Sequence, residues 1–298
     1  MIGIGGGGDV VGSLALARLC DSLGTRFVLG GVAWERFAVD PYPGPRSVEQ
    51  VEGGRRIGGS AVLADAETTT PEGVRFCEAG MAGFLGEPTL LVDVTGGPGQ
   101  VAEGILAAAE ELDCDLAIYV DIGGDALAEG SEPGLASPLC DALMLAGARR
   151  AAAAGLPALG AILGSGCDAE LTVEEVLRRL SVLGEAAAWL GAWAMPPAIA
   201  GELGAAAAVV PTEASLQAAR CAQGETGPAP IRGGRRTVRL GPVGAITFFF
   251  DPLADARCLP LAHAVGDAAD LESARDALAS LGIRTELDYE RDRAAEHT

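Results

Sequence analysis

Four short apolar segments of the chain each run directly into a turn rich in glycine and aspartate. The turns are Gly5–Gly12, Asp93–Gln100, Asp121–Asp125 and Gly164–Asp168. Helix-compatible amphipathic segments separate the apolar runs, and this alternation predicts a parallel β-sheet with helices on both faces. Because the carboxyl ends of parallel strands lie at one edge of a sheet, we expect the four turns to converge on one ligand-binding crevice.

The predicted fold is α/β: a Rossmann-like, mostly parallel sheet with helices on both faces, and a helical C-terminal part that also contains short strands. Strands are predicted at Ile2–Gly5, Phe27–Leu29, Ala61–Ala64, Leu90–Asp93, Leu116–Asp121, Ala158–Leu163, Thr237–Leu240, Ala245–Phe250 and Ile283–Leu287. Helical patterns include Pro71–Leu85 and the alanine-rich stretch Ser181–Cys221, which is broken at Pro196-Pro197 and at Pro211. The charged tail after Tyr289 is predicted to be mobile. A soft boundary near Ser181 divides the chain into a ligand-binding core, residues 1–180, and a segment packed on it, residues 181–298; a single domain is the alternative.

The charge and hydropathy of the chain limit its partners and its location. The formal net charge is −20, so neither nucleic acid nor an anionic membrane is an expected partner. The sequence shows no apolar run long enough for a membrane span and no signal-peptide pattern. We therefore expect a cytoplasmic protein whose partner is an anionic small molecule, and a homo-oligomer is left open.

The residue types present limit the chemistry. All 21 basic residues are arginine and the chain lacks lysine and asparagine, which excludes a lysine Schiff base, a Walker-type lysine and a protein-kinase catalytic set. Of the two histidines, His263 is predicted to be structural and His297 to be frayed. Seven scattered cysteines without a Cys-x-x-Cys pair argue against disulfides or zinc. Chemistry is expected from carboxylates, arginines, thiols, hydroxyls or a bound metal.

The tetraglycine turn is predicted to be a phosphate-binding loop. Glycine lets a ligand approach the backbone closely, and the helix N-terminus that follows presents free N–H groups and a positive dipole end. The residues predicted to bind the ligand are Gly5, Gly6, Gly7, Gly8 and Asp9 in the first turn, and Gly96 and Gly97 in the second. A tight turn without a ligand is the alternative.

The same turn formally matches the dinucleotide fingerprint, with Gly3, Gly5 and Gly8 at the required spacing. The fingerprint also needs an acidic residue at the end of the second strand to hold the ribose. The nearest acid after the second predicted strand is Glu35, which lies several residues too late. NAD(P) binding therefore ranks below generic phosphate binding.

Asp93 and Asp121 end successive predicted strands, and Asp125 follows shortly after the second of them. Carboxylates placed in this way are able to share one Mg²⁺, which takes one or two carboxylates plus ligand phosphates. One of them is alternatively a general base. The remaining alternative is that each aspartate caps the turn that follows it.

Three arginines, Arg232, Arg235 and Arg236, stand close together in an otherwise acidic chain. Guanidinium groups grip phosphate and carboxylate in a fork, so this segment is suited to clamping an anion. A solvated hairpin whose arginines pair with surface acids is an equal alternative. Ser137, at the start of a predicted helix, and Asp141, one turn on, are expected to extend the same site.

Longer motifs occur along the whole chain. They are Gly5–Gly12, Gly30–Arg36, Val39–Arg46, Thr70–Arg75, Asp93–Pro98, Val120–Asp125, Glu132–Pro138, Pro211–Ser215, Ile231–Arg236 and Phe248–Pro252. Taken together, they resemble an uncharacterised prokaryotic family, the domain of unknown function 1152. The resemblance narrows the fold and implies no activity, so the function is left to the residues.

The residues favour an enzyme that acts on a nucleotide or another phosphorylated metabolite by metal-assisted group transfer or hydrolysis. In this hypothesis the glycine turn holds phosphate, Asp93, Asp121 and Asp125 hold Mg²⁺ or supply a base, and Arg232 neutralises developing charge. An NAD(P)-linked oxidoreductase is the second hypothesis. A non-catalytic binding or sensor protein is the third, because it would keep the glycine turns without needing the carboxylates.

Overall fold

A computed structural model describes residues 1–296, and the predicted frayed residue His297 lies outside this range. The strands are β1 (Ile2–Gly3), β2 (Gly30–Val32), β3 (Arg55–Ile57), β4 (Ala61–Ala64), β5 (Thr89–Val92), β6 (Ala117–Ile122), β7 (Ala158–Leu163), β8 (Trp189–Ala194), β9 (Gly227–Ile231), β10 (Arg236–Leu240) and β11 (Ile246–Phe250). The helices are α1 (Asp9–Ser22), α2 (Cys77–Leu85), α3 (Gly97–Glu111), α4 (Pro138–Ala153), α5 (Val173–Glu185), α6 (Pro197–Ala207), α7 (Ala214–Ala222), α8 (Pro260–Ala264), α9 (Leu271–Ser280) and α10 (Glu286–Glu296).

Nine strands of the described chain form one sheet in the order β3-β4-β5-β2-β1-β6-β7-β11-β8. The central strands β5-β2-β1-β6-β7 are parallel, and antiparallel strands extend the sheet on both sides. Strands β9 and β10 form a separate antiparallel hairpin. The predicted α/β fold with a Rossmann-like parallel centre is confirmed.

Alternate side chains of the central strands enter two apolar cores, one on each face of the sheet. In β6, Ile118 and Val120 pack with residues of α1 and α6, whereas Tyr119 packs with residues of α3 and α4. A strand buried on both faces has this alternation. Because helices cover both faces, the carboxyl edge of the parallel strands is the position where a ligand is able to enter.

The second strand lies at Gly30–Val32, so the prediction of a strand at Phe27–Leu29 is wrong. Glycine has a low strand propensity, which hid this strand in the sequence. A Cβ on Gly30 would lie 2.8 Å from the Leu90 side chain, and one on Gly31 would overlap the Glu78 carboxylate. Close packing against β5 and α2 therefore requires glycine here.

Residues 286–296 form helix α10, in the part of the chain for which the sequence predicts a mobile tail. Helix α10 begins at Glu286, within the segment Ile283–Leu287 for which the sequence predicts a strand. Thr285 and Asp288 cap its first turn, since each backbone N–H donates to the other residue's side chain. This local capping signal explains why a helix, and not a strand, begins at this point.

Two other helical predictions also need correction. The stretch Ser181–Cys221 is interrupted by β8, which pairs with β11, a distant segment that the local pattern does not reveal. Helix α2 begins at Cys77 and not at Pro71. The residues before it form turns and bridges, in which Thr69 pairs with Glu52 and Arg75.

Both predicted segments contribute strands to the same sheet. Strand β7 belongs to residues 1–180, whereas its neighbour β11, and β8 on the far side of β11, belong to residues 181–298. The division of the chain at Ser181 stays a prediction. Among the helices of residues 1–296, none has the length and apolar character needed to cross a membrane.

Candidate functional site

A cavity of about 940 Å³ opens at the carboxyl edge of the parallel strands. Three of the four predicted turns reach it, namely those that follow β1, β6 and β7. The hairpin β9–β10 and helix α10 complete its walls. The predicted site residues that line it are Gly5, Gly6, Gly8, Asp9, Asp125, Ser137, Arg232, Arg235 and Arg236.

Three neighbouring aspartates, Asp9, Asp121 and Asp141, form a group that we call the acid triad. Asp9 lines this cavity, whereas Asp121 and Asp141 are each 1 % exposed and lie outside the cavity lining. Each offers a carboxylate oxygen that lies within 4.8 Å of the other two. Asp9 begins α1 directly after the glycine turn, Asp121 lies in the adjacent strand β6, and Asp141 lies in the first turn of α4. The structure places Asp141 beside Asp9, and its role in the site stays a prediction.

The hydrogen bonds of the acid triad are incomplete. Asp9 Oδ2 accepts the Gly5 N–H at 3.0 Å, and Asp121 Oδ2 accepts the Gly124 N–H at 2.8 Å. Asp141 is 1 % exposed, and neither of its carboxylate oxygens has a hydrogen-bond partner within residues 1–296. A buried carboxylate without a partner is costly, so this side chain requires a proton or a bound cation.

Burial and mutual repulsion disfavour the ionised form of the triad. Burial raises the pKa of Asp9 to about 7. Burial, together with the neighbouring carboxylates, raises the pKa of Asp121 and of Asp141 well above the usual range. Three oxygen ligands so close together suit a hard divalent cation, which would favour the ionised forms.

A second group of carboxylates, Asp125, Asp168 and Glu170, lies in the same cavity, again with oxygens within 4.8 Å of one another. Glu170 is already fully bonded: it accepts the Ala136 and Ser137 N–H groups, the Ser137 hydroxyl and the Arg232 guanidinium. Although burial opposes its ionisation, Arg232 and Ser137 lower its pKa. Glu170 is therefore an anchor for the cavity wall.

The three predicted arginines have different roles in the hairpin β9–β10. Arg232 donates its backbone N–H to both oxygens of Glu213, at 2.8 and 2.9 Å, in addition to its bond with Glu170. Arg236 donates to the backbone oxygens of Gly134 and Ala169. Arg235 is exposed, and its Nε donates to Arg232 O. Arg232 and Arg236 dock the hairpin on the cavity, and Arg235 extends from it.

The structure does not bring Asp93 to the other predicted carboxylates. Its Oδ2 accepts the Val48 N–H at 2.9 Å, and its Oδ1 accepts the backbone N–H and the hydroxyl of Thr95 at 2.8 and 2.6 Å. Among the described residues it belongs neither to the cavity lining nor to the acid triad. Asp93 caps the turn that follows β5, the alternative that the sequence left open.

Other predicted site residues also lie outside the described cavity lining: Asp121 and Asp141, which belong to the acid triad, and Gly7, Glu35, Gly96 and Gly97. Glu35 is buried, and its carboxylate accepts the Cys77 N–H at 2.6 Å at the start of α2. Gly7 donates its N–H to Trp34 O. Gly96 and Gly97 begin α3, and Gly97 packs against the backbone of residues 268–270.

The sequence analysis missed several residues of the cavity. Arg36 donates to Gly5 O at 2.9 Å, and Glu286 accepts the Leu139 and Cys140 N–H groups at the start of α4. The Arg36 guanidinium therefore lies beside the glycine turn. Glu286 is recognisable only once α10 is known to be a helix that packs on α4, although the capping pattern at its start is a local signal.

Comparison with known proteins shows the family to which the chain belongs. A family model described as "Protein of unknown function (DUF1152)" matches residues 1–294. The chain belongs to this family. The resemblance inferred from the motifs is thus confirmed. No curated protein and no solved structure matches the chain.

The metal-free protein is expected to lose stability as the pH rises from about 4 to about 7. Unfolded carboxyl groups titrate near pH 4, whereas burial raises the pKa of Asp9 and of Glu286 to about 7. Between these values Asp9 and Glu286 hold more protons in the folded chain than in the unfolded chain, so their contribution to the free energy of unfolding falls as the pH rises through this range. For Asp9, about three pKa units correspond to about 4 kcal/mol, or roughly 8 °C in Tm.

Thermal unfolding in EDTA at several pH values checks this expectation. The Asp9→Asn variant is the control, because it cannot titrate and should show a smaller fall in Tm. A Tm that stays constant or rises over this range in the wild-type protein would contradict the assignment of these buried acids.

Proposed function

We propose that the chain is an enzyme that binds Mg²⁺ at the acid triad and acts on a phosphorylated small molecule by group transfer or hydrolysis. The observation that supports this most is Asp141, whose two buried oxygens lack a hydrogen-bond partner in the described chain and lie beside Asp9 and Asp121. Mg²⁺ is bound by carboxylates together with substrate phosphates. The metal ligands proposed here keep Asp121 and replace Asp93 and Asp125.

The cavity wall supplies the groups that an anionic substrate needs. Arg36 lies beside the glycine turn, and Arg235 extends from the hairpin on the same cavity. Guanidinium groups in such positions stabilise negative charge that develops on a transferred group. Asp168, whose pKa burial raises to about 7, is suited to accept a proton near neutral pH.

Magnesium binding tests the first half of the proposal. Calorimetric titration of MgCl₂ into EDTA-treated protein at pH 8 is expected to show one site per chain. At about 100 times Kd, the metal should add about 2.7 kcal/mol to the free energy of unfolding, which raises Tm by roughly 5 °C. If neither MgCl₂ nor MnCl₂ binds, the proposed metal centre is wrong.

Turnover assays test the second half of the proposal, that the protein acts on a phosphorylated small molecule. Nucleotides and sugar phosphates are incubated with the protein in Mg²⁺ or in EDTA, and the products are separated by chromatography. A product that forms only with the metal supports an enzyme. Metal-dependent binding without turnover favours the non-catalytic alternative instead.

A further inference from the structure

Two aromatic side chains, Phe37 and Tyr289, line the same cavity as Asp9. Phe37 belongs to the loop that follows β2, and Tyr289 belongs to α10. Glu290 joins these two elements, because its buried Oε2 accepts both the Trp34 indole N–H at 3.0 Å and the Gly44 N–H at 2.8 Å. The loop and the helix that carry the two rings are therefore held together, and we call the part of the cavity lining that they supply the aromatic wall.

Tyr289 has the features of a stacking platform. Its side chain is 39 % exposed, and the Arg284 guanidinium carbon lies 4.3 Å from the centroid of its ring. The guanidinium covers one face of the ring and restrains it. An aromatic ring that is held in place at the border of a cavity is suited to stack on a planar group of a ligand.

The cavity has an apolar part and a cationic part, and together they favour a ligand that has both an apolar group and an anionic group. Ala38 and Val39 continue the apolar surface beside Phe37, whereas Arg235 and Arg36 are cationic groups of the same cavity. An inorganic phosphate or a sugar phosphate would leave the apolar part in contact with water. The cavity volume of about 940 Å³ is large enough for a ligand that reaches both parts.

We propose that the substrate is a nucleoside phosphate whose base stacks on the wall formed by Phe37 and Tyr289. This inference rests on the proposed function, since the phosphates of the same ligand would face the acid triad with its Mg²⁺ and the arginines. It adds the claim that the base is recognised by stacking, which the metal site alone does not require.

The affinities of three probes test whether the base is recognised by stacking. ADP, UDP and pyrophosphate are titrated into the Mg²⁺-loaded protein by calorimetry. Stacking of one base corresponds to roughly 5- to 150-fold in Kd, so at least one nucleotide should bind that much more tightly than pyrophosphate. Tyr289→Leu should remove most of this preference and leave the Kd of pyrophosphate unchanged, whereas Tyr289→Phe, which keeps the ring, should retain it.

The outcomes separate the two proposals. If pyrophosphate binds in a Mg²⁺-dependent manner but neither nucleotide binds more tightly, the stacking inference is overturned and the proposed metal site stands. Stacking is equally overturned if Tyr289→Leu and Phe37→Leu both leave the nucleotide preference intact. If Mg²⁺ itself fails to bind, the proposed function fails first, and this inference fails with it.

Discussion

Replacing Asp141 by asparagine is expected to weaken Mg²⁺ binding by about 100-fold or more and to stabilise the metal-free protein at pH 8. Two unit charges 4 Å apart interact by about 4 kcal/mol at an effective dielectric constant of about 20, and a divalent cation gains more from each carboxylate. The loss of one of three ligand carboxylates therefore costs at least two orders of magnitude in Kd.

The stabilising effect of Asp141→Asn has a separate physical reason. In the metal-free protein the Asp141 carboxylate is buried beside Asp9 and Asp121, and it accepts no hydrogen bond from the residues that the structure describes. A neutral amide of the same shape removes both this repulsion and the cost of keeping the buried carboxyl group protonated at pH 8. We expect a gain of about 1 kcal/mol or more in the free energy of unfolding, which thermal unfolding in EDTA measures as a rise of roughly 2 °C.

Asp93→Asn is the matched control, because Asp93 is an aspartate that is buried to the same extent as Asp141 and the substitution makes the same chemical change. The variant should lose some stability, since Asp93 accepts bonds from Val48 and Thr95, but its affinity for Mg²⁺ should stay within about twofold of the wild type. If Asp93→Asn abolishes metal binding and Asp141→Asn does not, the ligand set inferred from the sequence is right and the acid triad is wrong.

Replacing Gly3 by alanine is expected to destabilise the protein by about 3 kcal/mol or more, or to prevent folding. A Cβ on Gly3 would lie 2.5 Å from the Val10 backbone nitrogen and 2.6 Å from the Asp9 carbonyl carbon. These are backbone atoms of α1, which cannot rotate away as a side chain does, so β1 and α1 would have to separate. The separation would also move Asp9 away from Asp121.

Gly201→Ala is the control for this substitution. Gly201 lies inside α6, and a Cβ there would meet no atom of the described chain within 4 Å. This variant should be as stable as the wild type or more stable by up to about 1 kcal/mol, because alanine favours a helix over glycine. Urea unfolding measures both variants. Equal stability of Gly3→Ala and the wild type would show that β1 and α1 do not need this close contact.

Much of the fold was predictable because it depends on local patterns. Buried strands such as Ala61–Ala64 and Ala158–Leu163 are apolar runs that end at turn residues, and both lie where the pattern predicts them. Where local propensity and packing disagree, the prediction failed. Gly30–Val32 is a strand although glycine is a poor strand former. It pairs with β1 and β5, and Leu90 and Glu78 leave no room for a side chain at Gly30 or Gly31.

The sequence predicted which kinds of residue form the candidate site, but it predicted only some of the particular residues that line it. A crevice with glycine turns, aspartates and arginines was expected, and Gly5, Asp9, Asp125 and Arg235 do line one cavity. The arginines Arg232 and Arg236, however, make hydrogen bonds within the protein that dock the hairpin. Sequence patterns identify a charged residue, but they do not identify the partner that it meets in space.

The sequence by itself determined which residue types end the strands, and strand order decided which of them meet. Asp93 and Asp121 each stand at the end of an apolar strand before a glycine-rich turn, and no local feature separates them. Strand β6 lies directly beside β1, whereas β2 lies between β1 and β5. Neighbouring strands are about 4.8 Å apart, so Asp121 reaches Asp9 while Asp93 is held two strands away. That order results from packing helices on both faces of the whole sheet, which involves contacts between distant parts of the chain.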